Sequence, residues 1–105
     1  MIVVTEHRAD EGFLDLGRTL LEVLAAASGY VGGYVGRSPD DPGVWLMVTT
    51  WRDVGSMRRG FGSFEAKVAA APVMMSAVDR VSAFEVVVES TAAGVEIRAS
   101  DRSGD

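Results

Sequence analysis

Eight consecutive residues, Val44 to Trp51 (VWLMVTTW), are apolar or Thr at every position. A half-exposed strand alternates apolar with charged residues, whereas an unbroken run of this length reads as a strand covered on both faces. The run ends at Trp51 and turns directly into a segment with helical spacing, so Gly43 to Val68 forms the centre around which the chain is arranged. A chain of 105 residues supplies two helices, enough to cover one face. The other face needs a second cover, and another copy of the same sheet is the economical source.

The flanking segments fit that centre. Ile2 to His7 reads as a first strand, with three β-branched residues in succession. Asp10 is placed to cap a helix running to about Ala27, with Phe13, Leu16, Leu20, Leu24 and Ala27 on one apolar stripe, Leu14 and Leu21 widening it, and Gly29 ending it. Tyr30 to Arg37 is a glycine-rich second strand, joined to the third through the turn Ser38 to Gly43. Asp53 or Ser56 caps a second helix, whose buried stripe is Met57, Phe61, Phe64 and Val68. Gly60 and Gly62 mark either a break or a close contact, and Pro72 ends the helix. Val81 to Val88 reads as a fourth strand, Thr91 to Gly94 as a turn and Val95 to Arg98 as a short added strand. The order β-α-β-β-α-β predicts an α+β, ferredoxin-like fold with a four-stranded antiparallel sheet. Residues 1–89 are expected to form that domain, and 90–105 an extension with a short strand and then a flexible tail.

Composition narrows the function. A net charge of −5 with scattered basic residues argues against nucleic acid and anionic membranes. Cys is absent, which removes disulfides, thiol nucleophiles and thiolate metal sites, and one His without neighbouring ligands offers no metal centre. No apolar run reaches membrane-spanning length and the N-terminus lacks a signal-peptide pattern, so a cytoplasmic location is expected. Asn and Gln are also absent, so no amide side chain serves in any site. The glycines between Gly29 and Gly36 follow a helix and form a strand, whereas a dinucleotide loop follows a strand and opens a helix.

The candidate site residues carry two readings each. His7 ends the first strand, where it is either a surface or strand-end residue or a proton acceptor at a pocket mouth. Trp51 is either a core plug between sheet and helix or a catalytic ring. Tyr30, Tyr34 and Trp45 could line a pocket or a dimer contact. Arg58 and Arg59 form a solvated helix face, or one of them holds an anionic oxygen.

Taken in order, the Gly-Tyr-Val-Gly-Gly start of strand two, the Pro-Asp-Asp-Pro-Gly turn, Val48-Thr-Thr-Trp51, Asp53-Val-Gly and Ser63-Phe64-Glu65 before Pro72 resemble the antibiotic biosynthesis monooxygenase family of the dimeric α+β barrel superfamily. The resemblance covers about residues 2 to 88. It implies a homodimer with facing sheets and a pocket between each sheet and its helices. It also implies oxidation of phenolic, quinol-like or polyketide molecules by O2 without metal, flavin or haem. A haem-degrading branch carries an Asn-Trp-His set. Here His7 falls where that Asn would be, Gly60 and Phe61 fall in the Trp region, and Ala69 to Ala71 replace the helical His.

The leading expectation is a cofactor-independent monooxygenase acting on a small aromatic, ionisable molecule. His7 would be the proton acceptor or a substrate contact. Tyr34, Trp51, Phe61, Phe64 and Met74 would wall the pocket, and Arg58 would meet the anion. The alternative is a non-catalytic dimeric domain that binds an apolar small molecule, with haem degradation a third reading.

Overall fold

The computed structural model describes residues 1–99. Its elements are β1 (Ile2–Arg8), α1 (Phe13–Leu24), β2 (Tyr30–Arg37), β3 (Val44–Trp51), α2 (Val54–Gly62), α3 (Phe64–Met74), β4 (Ala83–Phe84), β5 (Val88–Thr91) and β6 (Gly94–Ile97). The main sheet has the order β2-β3-β1-β4 with antiparallel neighbours throughout. This is the ferredoxin-like arrangement, with the second helix divided in two. β5 and β6 form a separate hairpin.

The central strand has two distinct faces. Trp45, Met47, Thr49 and Trp51 are buried under the helices. Register puts Val3, Thr5 and His7 of β1 on that same face, opposite Thr49, Met47 and Trp45. The other face carries Ile2 and Val4 beside Thr50 and Val48, with Leu46 exposed, and no described helix covers it. β2 changes phase across these faces. A register shift between Tyr30 and Gly32 leaves Tyr30 edge-on against the Trp51 ring at 5.3 Å. Four residues later, Tyr34 pairs with Val48 on the opposite face.

The core gathers Phe13, Leu20 and Leu24 of α1 with the β3 tryptophans and with Ala66 and Val73 of α3. Leu14 and Leu16, expected in the buried stripe, point outward. Gly17 occupies the stripe instead, since a Cβ there would lie 2.8 Å from the Val35 side chain. Gly12, rather than Asp10, stands at the N-cap of α1, and Asp10 accepts from the Gly12 amide in the preceding turn. Gly29 turns the chain out of the α1 region with φ +85°, a conformation that disfavours a side chain.

Three further expectations are corrected. The second helix breaks at Ser63, whose extended backbone ends α2 and whose hydroxyl caps α3 by accepting from the Ala66 amide. The break resets the helical phase, so Ala66 and Val73 face inward while Phe64 and Val68 are exposed. Pro72 does not stop α3. The helix continues to Met74, and the missing Pro72 donor falls in its last turn, beside the buried Val73. The fourth strand shrinks to Ala83–Phe84 because its pairing runs antiparallel toward the start of β1. Phe84 already opposes Ile2, so the ladder is exhausted there. Upstream, the edge of β1 is satisfied by single bonds to the Ser76, Val78 and Ser82 backbone. Val88, expected at the end of that strand, pairs with Ile97 in the hairpin. The expected tail beyond residue 99 lies outside the described residues.

Candidate functional site

A cavity of about 270 Å³ lies between the helix-covered sheet face and the α2–α3 pair. Val3, Met47, Met57, Phe61, Val73 and Met74 give it apolar walls, and its hydroxyl groups come from Thr5, Thr49 and Ser82. A mostly apolar enclosure with a few polar groups suits a small molecule that is largely hydrocarbon.

Two of these hydroxyls are backed by a buried ring two residues further along the same strand. Trp51 Nε1 donates to Thr49 Oγ1 at 2.9 Å. Indole nitrogen only donates, so Thr49 accepts there and keeps its own proton for the cavity. His7 Nε2 lies 2.7 Å from Thr5 Oγ1, and His7 Nδ1 lies 3.1 Å from Ser76 Oγ. Ser76 donates its single hydroxyl proton to the Val73 carbonyl at 3.1 Å. With Ser76 donating there, its oxygen is left to accept from His7, an assignment that puts the proton on Nδ1 and leaves Nε2 to accept from Thr5. The cavity floor thus carries opposite polarities: a donor at Thr49 and free lone pairs at Thr5.

His7 is fully buried. Phe13 lies against it with ring centroids 4.5 Å apart, and Trp45 stacks in turn on Phe13 at 5.5 Å. Burial lowers the imidazole pKa below the usual histidine value, and a hydrogen bond to the Val73 carbonyl opposes that shift. The ring is therefore neutral near pH 7.

The residues singled out in the sequence divide into three groups. Phe61 and Met74 line the cavity. Trp51 and His7 lie behind its hydroxyls, with Trp51 held between Tyr30 and Phe61 as a core plug. Tyr34, Arg58 and Phe64 do not meet the cavity: Tyr34 is 70% exposed on the far sheet face, Phe64 is 78% exposed beyond the helix break, and Arg58 is exposed on α2. Among the described residues no charged group lines the cavity. Thr5, Thr49, Met47, Met57 and Ser82 were missed in the sequence. The alternation Val3, Thr5, His7 along β1 was the signal that could have placed Thr5 on the same face as His7.

Among the described residues no cluster of three His, Cys, Asp or Glu could hold a metal ion, and no helix is long and apolar enough to cross a membrane. No curated protein matches the sequence. Solved structures share the fold. SnoaB, a cofactor-independent oxygenase from Streptomyces nogalater, is similar at TM-score 0.66 and 14% identity over 82% of this chain and 93% of that one. A conserved protein from Methanosarcina mazei Go1 is similar at TM-score 0.65 and 19% identity, over 75% and 82% of the two chains. An antibiotic biosynthesis monooxygenase structure matches at TM-score 0.64 and 15% identity, over 82% of this chain and 99% of that one. The model of one family, antibiotic biosynthesis monooxygenase, matches residues 2–71, a span that runs from β1 through most of α3 and includes both Thr5 and Thr49. With two thirds of its length matched in that way, and the fold in agreement, the chain belongs to the antibiotic biosynthesis monooxygenase family.

Proposed function

We propose that this protein is a cofactor-independent monooxygenase for a small aromatic molecule with an ionisable hydroxyl, of the phenol, quinol or polyketide type. The observation that carries the reading is the apolar cavity whose floor places a hydroxyl acceptor, backed by a neutral imidazole, beside a hydroxyl donor. The chemistry needs little more. Loss of the phenolic proton makes the carbon across the ring electron-rich, and O2 adds there. The resulting peroxide takes up one proton; its O–O bond then breaks as the hydrogen on the oxygenated ring carbon is lost, releasing water and leaving a carbonyl. A phenol and O2 thus become a quinone and water. The electrons come from the substrate, so the protein has only to bind it, exclude bulk water and handle one proton. Family membership and the likeness to a cofactor-independent oxygenase support the same reading.

Haem does not fit these residues. The single imidazole has both nitrogens engaged, by Thr5 and Ser76, and presents none to the cavity as an axial ligand. The non-catalytic binding domain is favoured by one observation: among the described residues no cation lines the cavity to stabilise an anion. An oxygen electrode separates the two readings, with 1-naphthol as the first probe. One O2 consumed per 1,4-naphthoquinone formed, without hydrogen peroxide, is the expected result. Thermal stabilisation by 1-naphthol with no oxygen uptake would instead establish the binder. In either case the working unit is a homodimer joined through the uncovered sheet face of Ile2, Val4, Leu46 and Val48, and its mass in solution is the check.

A further inference from the structure

His7 cannot reach the cavity itself. It is fully buried, it is absent from the lining, and its Nδ1 is committed to Ser76. The remaining nitrogen faces one group, the hydroxyl of Thr5, at 2.7 Å. Thr5 in turn lines the cavity. A base enclosed in this way communicates with a bound molecule through a single side chain. We propose that Thr5 is the catalytic residue that accepts the substrate's hydroxyl proton while passing its own proton to His7 Nε2, with His7 a positioning residue that acts through it. The inference rests on the monooxygenase reading above and deepens it.

The step balances. The O–H bond of the phenol breaks and a new O–H bond forms on Thr5. The former Thr5 proton becomes the Nε2–H of an imidazolium, which keeps its hydrogen bonds to Ser76 and Thr5. After O2 has added to the ring, the same path runs backward. Imidazolium returns its proton to Thr5, and Thr5 delivers one to the outer peroxide oxygen, which leaves as water when the O–O bond breaks and the hydrogen on the oxygenated ring carbon supplies its second hydrogen. Thr5 and His7 end as they began. Charge separation stays local, because the substrate anion and the imidazolium are formed together on either side of one hydroxyl.

The surroundings of His7 favour its resting neutral state. Phe13 faces it from α1, Trp45 is its partner on β3, and Val73 and Ser76 contact it from the α3 side. None of these is charged or titratable. Arg37 stacks on the Trp45 ring at 4.7 Å and pairs with Glu11, and Glu6 and Arg8, the neighbours of His7 on β1, point to the other sheet face. Below the lowered pKa of His7 the acceptor is lost, so turnover falls on the acid side and is flat through neutrality.

The test uses the full chain with 1-naphthol and O2, in three forms: the parent, Thr5→Val and Thr5→Ser. Valine matches threonine in shape and suits a strand, so the fold and the cavity volume persist, and melting curves confirm it. At pH 7, Thr5→Val is expected to lower kcat by about 100-fold, the scale of a lost general base, and Thr5→Ser to stay within several-fold of the parent. Near pH 10.5, where a phenol with an ordinary pKa of about 10 arrives already ionised, the Val deficit shrinks to a few-fold. A purely structural role for Thr5 would leave equal deficits at both pH values, and that result overturns the relay. So does a Val variant that keeps the parent's rate at pH 7. If the parent itself binds 1-naphthol but consumes no O2, the monooxygenase reading fails and the relay falls with it.

Discussion

Gly60 and Gly62 lie two residues apart in α2, yet the same substitution is expected to act on them in opposite directions. A Cβ at Gly60 would stand 2.3 Å from Cη2 and 2.6 Å from Cζ3 of Trp51, and 3.4 Å from the Ala27 Cβ. The first two contacts fall about 1 Å inside ordinary van der Waals range. They meet a rigid ring that is itself packed between Tyr30 and Phe61 and hydrogen-bonded to Thr49. Moving that ring strains the bond to Thr49, so the cost belongs in the upper part of the overpacking range, about 2–3 kcal/mol. Alanine returns about 1 kcal/mol through its better helix propensity. The net for Gly60→Ala is a loss of about 1–2 kcal/mol, which lowers Tm by roughly 5–15 °C in a domain of this size. A Cβ at Gly62 meets no heavy atom within 4 Å and its φ is not positive, so Gly62→Ala is neutral or stabilising by up to about 1 kcal/mol. Paired thermal and urea unfolding of the two variants makes each the control for the other. A Gly60→Ala protein that melts at or above the parent would show that Trp51 is not the fixed plug described here.

Two further outcomes follow from the same packing. His7 is the only histidine, so one imidazole signal in an NMR titration reports its pKa, which is expected below 6.5. Because the unfolded chain then binds a proton more readily than the folded one, stability is full above pH 6.5. It declines as pH falls toward the folded value, before most carboxylates titrate, and a folded pKa at or above 6.5 refutes this. On the opposite sheet face, Val48→Asp puts a charge at the centre of the proposed subunit contact without touching the cavity. Light scattering at micromolar concentration should show the parent at twice the chain mass and the variant as a monomer. A parent that is itself a monomer removes the second cover for β3.

How much of this was legible depended on whether a residue's neighbours are set by local periodicity. The unbroken apolar run of β3, the α1 helix and the β-α-β-β-α-β order all follow from short-range patterns, and they hold in the structure. Errors arose where one residue interrupts a period. The register shift after Tyr30 separates Tyr30 and Tyr34, which would share a face in a regular strand. The cap at Ser63 turns Phe64 outward, although it continues the spacing of Met57 and Phe61. Gly17 replaces a leucine in the α1 stripe because of the distant Val35, which no local pattern reports. The candidate site was half legible for the same reason. His7 was visible as a lone imidazole, but its burial depends on Phe13 across a turn and on Trp45 and Ser76, far away in sequence.

The positions of the two cavity hydroxyls are themselves a consequence of strand geometry. Thr5 and His7 are two apart on β1, Thr49 and Trp51 are two apart on β3, and a period of two places each hydroxyl on the same face as the ring behind it. The register Thr5↔Met47 sets Thr49 diagonally across from Thr5 on the neighbouring strand, with backbones about 7 Å apart. A one-residue slip of β1 would turn Thr5 and His7 to the uncovered face and bring Glu6 under the helices, removing the acceptor and burying a carboxylate together. The apolar pressure that fixes this register is therefore the same force that holds the acceptor and the donor side by side on the cavity floor. Stability of the sheet and polarity of the site are two readings of a single pairing.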